Sequence, residues 1–505
     1  MQANRFFLTF AVMAATIMQV LDTTIMNVAL PHMTGELGAT VDNISWVLTS
    51  YLVASSILMP LTGYFTDRLG RNRYLLVSIG GFVIASGLCG ISTGLYEMVV
   101  FRFVQGLFGA SLVPLSQAIM VESFPAKERG KAMAIWGMGI MVAPILGPTI
   151  GGYLTEMISW RWTFYINLPV GLLSFALAAK YVPTTEIKQR TMDWFGLISL
   201  GVGVGMLQLV LDRGQADDWF NSDSIVVETL IAASAFAAFL WHSLQSREHP
   251  LFDLAVFRDR NFALACLMMA TIGIGMFGGM FLQPLFLENM LAYPTMDAGM
   301  ALMPRGIGTF FAMSMAGRLL GHGVSPKWLV LPGVLMSMFG SYMMTGFNAQ
   351  ITYADFIAPL LMQGFGMGLI FVPLSALAFS TLPTRFAAEA AGIYSLVRSV
   401  GAAVGISMVS TFFSRTAQAQ WSLLRGNVNP FNPAMHAYLA PLHMDASGKG
   451  ALLLAQATGA QAQLTAFVSS FWMMTASFLL MIPLVLLLKQ APPGGGKPAV
   501  HVAAE

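Results

Sequence analysis

Charge is what this sequence has least of. Only 10% of its 505 residues are Asp, Glu, Lys or Arg, against 56% hydrophobic, where a soluble globular protein carries about 25% charged residues. With a mean hydropathy of +0.69, that deficit excludes a soluble class and leaves a polytopic membrane protein. Cysteine is nearly absent: Cys89 and Cys266 both lie inside apolar segments, so neither a disulfide framework nor a zinc site has support. His32, His242, His249, His322, His436, His443 and His501 fall in loops or near the ends of apolar runs, with no pair at metal-ligand spacing. No metal or cofactor is expected. The glycines from Gly273 to Gly279 precede no lysine-bearing phosphate loop, which disfavours a nucleotide-driven pump. No nucleophile–base constellation is present, so an enzyme is not expected. The net charge of +2 is scattered rather than massed, which gives nucleic acid no footing.

What is there is a series of apolar runs, each about 20 residues long, the length that crosses a bilayer as a helix. They predict an all-α protein of fourteen transmembrane helices. The starts fall near Phe6, Ile44, Tyr74, Glu97, Ala132, Thr163, Trp194, Ile225, Phe262, Ala298, Lys327, Phe356, Ala388 and Ala466. An even count puts both termini on one side. Of the 26 Lys and Arg, only Arg161, Arg213, Arg415, Arg425 and Lys449 then lie opposite the termini, while Arg102, Arg305 and Arg398 lie within spans. All others share the termini's side, which the positive-inside rule makes cytoplasmic.

The first run carries an acid where hydrocarbon is expected. In Leu21–Pro31, LDTTIMNVALP, Asp22 is the only carboxylate of a run that begins near Phe6. An ionisable group inside a span faces the bundle interior and marks an ion or substrate path. The alternative is that the helix begins later and Asp22 sits in an interfacial loop. Arg102, within the fourth run, lies at a compatible depth for pairing with Asp22; it could equally snorkel to the outer interface. Asp22 and Arg102 are the candidate proton-coupling pair. Gln19, Thr23, Asn27, Gln105, Gln117 and Gln363, with Arg305 and Arg398, are the candidate lining of a substrate cavity. The C-terminal spans hold two arginines and no central carboxylate, which suits neutral or weakly acidic lipophiles better than dications.

An internal repeat is visible. Gln105-Gly106, Pro114-Leu115-Ser116 and Pro125 return as Gln363-Gly364, Pro373-Leu374-Ser375 and Pro383. Repeats of this kind place a substrate site near midplane at their interface. The repeat predicts a six-helix half over 1–185, two inserted helices over 186–250 and a second half over 251–490. A long outer connection, 414–465, lies within that second half, with a short surface helix expected from Gly450 to Ala466. The Pro/Gly-rich tail 491–505 reads as disordered.

Three motifs carry further chemistry. Gly63 to Arg73, GYFTDRLGRNR, allows a tight turn through Gly63 and Gly70 and offers Asp67, Arg68 and Arg71 for a charge lock between helix ends. Its spacing resembles the signature loop of the major facilitator superfamily, and Gly317-Arg318-Leu319-Leu320-Gly321-His322 is a degenerate second copy without the acid. Arg102-Phe103-Val104-Gln105-Gly106 is similar to that superfamily's intramembrane arginine motif. In the fifth run, Pro144 is followed by Gly147, Pro148, Gly151 and Gly152, which form G-P-x-x-G-G; prolines remove helix hydrogen bonds and glycines admit a neighbouring backbone. This run looks like the motif that marks antiporters.

With LDTTIMNVALP and Trp160 to Pro169, WRWTFYINLP, these features resemble the EmrB/QacA family of multidrug:proton antiporters over nearly the whole chain. Val428 to Pro433, VNPFNP, resembles the EmrB branch. The resemblance implies a fold of two six-helix halves plus two inserted helices. It implies a bacterial inner-membrane exporter of lipophilic or amphipathic compounds driven by the proton gradient. It also implies a periplasmic adaptor and a TolC-type outer-membrane channel as partners. A proton-linked importer of the same fold, or a channel, are the alternatives.

Overall fold

The structure, a computed structural model, describes residues 2–40, 43–125, 128–187, 191–245, 251, 254–383, 386–426, 428, 432–442 and 448–489. The tail 491–505 and residues 429–431 of the outer connection lie outside them. So do Lys127, Lys188, Arg190, Arg247 and Arg385 among the basic residues that set the orientation, and the side chains of Asn27, Pro144 and Pro148.

Fourteen long helices run through the described residues. They are α1 Gln2–Glu36, α2 Trp46–Leu69, α3 Arg71–Ile91, α4 Leu95–Ser123, α5 Arg129–Met157, α6 Trp162–Tyr181 and α7 Trp194–Arg213. The rest are α8 Asp223–Gln245, α9 Arg260–Asn289, α10 Met303–Gly321, α11 Pro326–Met344, α12 Tyr353–Ala378, α13 Ala387–Arg425 and α14 Gly448–Leu487. Eleven contain a stretch long and apolar enough to cross a membrane. The other three, α5, α10 and α11, occupy the places of the fifth, tenth and eleventh expected spans.

Most helices begin one to four residues before the apolar runs do, because a run marks the hydrocarbon and the first turn sits in the interface; α7 begins at Trp194 as expected, whereas α2 and α10 begin later than expected, at Trp46 and Met303. The last one departs from this. Its start, expected near Ala466, lies at Gly448, since Ala, Leu and Gln in 448–465 favour helix without needing lipid. The expected connection 414–465 is therefore largely helical. Helix α13 continues to Arg425, and only Pro433–Leu439 and a 3₁₀ turn lie between it and α14 among the described residues. At 1.5 Å per residue such helices are roughly 60 Å long, about twice the hydrocarbon thickness. Their outer ends stay together: Trp421 packs beside Gly459, and Met435 and Leu439 meet Leu454.

Both ends of the chain's helical part reach the end of the bundle that carries Gly63–Arg73. Arg5 pairs with Glu128 at 3.3 Å, and Lys327 Nζ donates to the carbonyls of Leu486 and Leu488 at 2.7 and 3.1 Å. The apolar packing that joins α1–α6 to α9–α14 is concentrated at this same end. A Cβ on Gly63 would lie 3.0 Å from Glu389 Cα, and one on Gly392 2.8 Å from the Met59 carbonyl, so α13 sits directly on the end of α2. Helices α5 and α10 approach equally closely, with Gly130 on Leu320 and Gly317 on Ala134. Trp136 stacks on Phe371 at 6.2 Å. One apolar cluster spans both groups of helices here, whereas the opposite end holds two separate ones, around Trp160 and around Phe286. The pair α7–α8 packs against α2, where Gly201 and Gly205 admit Ile57 and Val53.

Candidate functional site

Asp22 sits in mid-helix on α1 with 1% of its surface exposed, and Arg102 on α4 has none. The helix does not begin late and the arginine does not reach an interface. Arg102 Nη1 donates to Asp22 Oδ2 at 2.6 Å and to Gln105 Oε1 at 2.7 Å, while its Nε donates to the Val47 carbonyl at 3.2 Å. Gln105 Nε2 at 3.1 Å and Asn167 Nδ2 at 2.8 Å both donate to Asp22 Oδ1. The carboxylate thus accepts three hydrogen bonds and gives none, the pattern of the ionised form. Beneath the guanidinium lies the Tyr51 ring, 4.5 Å from its centre, where a cation gains from the ring's negative face.

Local sequence explains how these groups meet. Arg102 and Gln105, three apart, share one helix face. Gly106, next on that face, lets α4 come down onto α2; a Cβ there would lie 2.5 Å from the Tyr51 carbonyl oxygen. Gln19, one turn before Asp22, donates to the Tyr51 hydroxyl at 2.9 Å and so joins the group indirectly. Asn167, at the start of the longer segment of α6, is held by Ser86 Oγ of α3 at 3.0 Å.

A second polar group lies in the other half. Arg305 Nη1 of α10 donates to Gln283 Oε1 at 2.9 Å, Gln283 Nε2 to Gln363 Oε1 at 2.8 Å, and Gln363 Nε2 to Ser341 Oγ at 3.1 Å. Gly364 seats on α10 as Gly106 seats on α2, with a would-be Cβ 2.0 Å from the Arg305 carbonyl oxygen. Gly106 and Gly364 thus seat their helices alike, whereas Gln105 bonds an arginine and an acid directly and Gln363 bonds only Gln283 and Ser341. The charges differ: the first group has an acid and takes its cation from α4, whereas the second has no acid among the described residues and takes its cation from α10. Among the described residues, neither Arg305 nor Arg398 pairs with an acid, Glu288 near the end of α9 included.

The other expected lining residues stay apart. Thr23 bonds its own helix at Val20. Gln117 is fully buried with neither amide atom partnered, and Arg398 makes no hydrogen bond or ion pair among the described residues. Among the described residues, no hydrogen bond links the two polar groups. Tyr51, Ser86, Asn167, Gln283 and Ser341 escaped the sequence reading, although Asn167 and Gln283 each stand as an isolated amide in an apolar run.

Helix α5 passes α1 beside Asp22. A Cβ on Gly147 would lie 2.2 Å from Thr24 Oγ1 and one on Gly151 3.2 Å from Ile25, whereas Gly152 has nothing within 4 Å. Helix α5 runs unbroken through positions 144 and 148. In the loop, Gly70 adopts φ +79°, a conformation that favours glycine, and a Cβ there would also crowd the Thr185 carbonyl at 3.2 Å. Arg71 pairs with Glu122 at the end of α4, and Arg68 donates to the Tyr64 hydroxyl. Asp67, half-buried, lies in the last helical turn before Gly70, and Gly63, expected in the turn, lies within that same helix.

Comparison with known proteins settles the family. The Major Facilitator Superfamily profile matches residues 12–406. The chain belongs to the Major Facilitator Superfamily. Its relatives include the multidrug export protein EmrB of Escherichia coli, 34% identical over 99% of this chain and 98% of that one. EmrB of Haemophilus influenzae is 33% identical over 97% and 96% of the two chains. The fatty acid resistance protein FarB of Neisseria gonorrhoeae is 34% identical over 97% of each. Among solved structures, the proton:xylose symporter XylE shares the fold with a TM-score of 0.61 at 15% identity, covering 98% of each chain. The human organic anion transporter MFSD10 shares it at 0.60 and 14%, covering 94% of this chain and 99% of its own. The resemblance to the EmrB/QacA family is borne out, and the protein is a multi-pass membrane transporter of this superfamily rather than an enzyme.

Proposed function

We propose that this superfamily member exports lipophilic and amphipathic compounds across a bacterial inner membrane in exchange for protons, with fourteen spans and both termini cytoplasmic. One observation carries the reading: a fully buried carboxylate, Asp22, saturated by Arg102, Gln105 and Asn167. Protonation turns one of its oxygens from acceptor to donor, which that set of donors cannot accommodate. Taking up a proton therefore requires α1, α4 and α6 to rearrange, and the closely packed α5 follows α1. A proton and a drug that each favour a different arrangement are coupled by that fact alone.

The full-length relation to proteins named for multidrug export and fatty acid resistance supports efflux over import. Arg305 without an acid partner supports neutral or weakly acidic lipophiles as cargo. Packing between the halves at the Gly63–Arg73 end supports an outward-facing arrangement. The joined outer ends of α13 and α14, with Leu423, Tyr438 and Leu452 exposed, support docking of a periplasmic adaptor and, through it, a TolC-type channel.

The test is transport in proteoliposomes under an imposed pH gradient, with cationic, neutral and anionic lipophiles. Drug should move against the proton flow. Movement with the protons identifies an importer, and conductance without coupling a channel.

A further inference from the structure

The molecule has a cleft of about 590 Å³ between α5 and α10, at the end of the bundle that carries the basic loops. Its two walls belong to different halves. Glu128, just before α5, and Lys131 on it stand at its mouth, with Arg318 and His322 facing them from the end of α10 and just beyond it; Ile135 and Met138 line its deeper part. From Lys131 to Met138 is about 10 Å of helix, so the cleft passes from charged to apolar within a lipid headgroup's depth. Glu128 is engaged by Arg5 at 3.3 Å. Neither Lys131 nor Arg318 has an acid partner among the described residues. His322 Nδ1 lies 2.7 Å from the Arg318 carbonyl oxygen; a carbonyl only accepts, so Nδ1 carries the proton. The mouth is left with two uncompensated cations above an apolar floor.

From this charge and polarity gradient we infer a binding site for an anionic phospholipid. The phosphate is held between Lys131 and Arg318, and an acyl chain lies along Ile135 and Met138. Basic clefts between transmembrane helices at an anionic leaflet have the charge and shape such headgroups require. Free inorganic anions lack the chain that the floor is built to cover. Beside the cleft, at the level of its mouth and middle, the two walls touch through Gly130 on Leu320 and Gly317 on Ala134. A lipid seated here therefore bridges the two halves where they touch and favours the arrangement in which this end is shut.

The test is native mass spectrometry of the purified full chain with cardiolipin, phosphatidylglycerol or phosphatidylcholine added. The anionic lipids should be retained over phosphatidylcholine. The double variant Lys131→Gln/Arg318→Gln should lower that preference by about thirtyfold, at roughly one to two decades for two basic contacts. The charge-keeping pair Lys131→Arg/Arg318→Lys should restore it, which separates loss of charge from loss of fold. Equal retention of all three lipids by the unaltered protein overturns the site. An undiminished preference in the Gln variant overturns it as well, and so does Gln-variant behaviour in the charge-keeping pair.

Discussion

The Asp22 carboxylate and the Arg102 guanidinium meet at 2.6 Å with neither side chain open to solvent. Eighty positions separate them in the chain; besides its partner, Asp22 is held by the Gln105 and Asn167 amides, and Arg102 by the Gln105 amide oxygen and the Val47 carbonyl, with Nη2 left unpartnered. Removing either partner of a buried pair leaves the other charge stranded, at a cost of about 3–5 kcal/mol. Asp22→Asn is the milder change, because Arg102 keeps Val47, Gln105 and the Tyr51 ring. It should leave a folded, membrane-inserted protein that binds drug but does not move it uphill in a pH gradient. Uphill transport with unchanged pH dependence would place the coupling acid elsewhere, and Glu288 would be examined next.

Arg102→Gln strands the acid instead and should lower thermal stability by about 3–5 kcal/mol. The double variant Asp22→Asn/Arg102→Gln should lose less than the two single losses added, because each removes a charge the other left unpaired. Additive losses in unfolding experiments would mean the pair is not coupled.

Two glycines five apart on α5 should behave oppositely. Gly147→Ala places a methyl 2.2 Å from Thr24 Oγ1, whereas Gly152→Ala meets nothing within 4 Å. The first should destabilise by about 1–3 kcal/mol through overpacking and slow transport by misplacing α1. The second should be silent in both assays.

Arg305 offers a charge to cargo. Arg305→Gln should reduce export of acidic lipophiles by about tenfold, the loss of one charge-assisted hydrogen bond, and spare neutral ones. Equal loss for both classes would assign Arg305 to the Gln283–Gln363 scaffold alone.

Deleting residues 430–445 removes the short helix that joins the outer ends of α13 and α14. Drug binding by purified protein should persist, while resistance of cells with a double envelope should fall. Unchanged resistance would remove the adaptor-docking role.

Beyond the membrane, Arg161 pairs with Glu36 and holds its carboxyl below the usual carboxylate range. Its contribution is complete above the ordinary carboxylate pKa and is lost as pH falls through the lowered one. Arg161→Gln should therefore lower the protease resistance of this end at neutral pH and leave it equal to that of the unaltered protein once the pH is below the lowered pKa.

The sequence by itself determined class, helix order and the depth of the buried charges. Transfer of each apolar run into lipid is a local property of that run, and an acid or arginine within it stands out against hydrocarbon. Even Gln105-Gly106 and Gln363-Gly364 were legible as copies, since a repeat is a pattern along the chain. Tertiary structure decided who pairs with whom. Asn167 reaches Asp22 across 145 positions, and Gln283 takes the side chain of Arg305 in a half whose spans show no central carboxylate. Lateral contacts of this kind depend on where glycines let helices close and on hydrogen-bond geometry between distant side chains, neither of which leaves a period in the sequence. The outer end of α13 was read as loop, and that of α14 as a separate short surface helix, for a related reason: hydropathy marks where lipid ends, and helices held by each other and by Pro433–Leu439 do not have to end there.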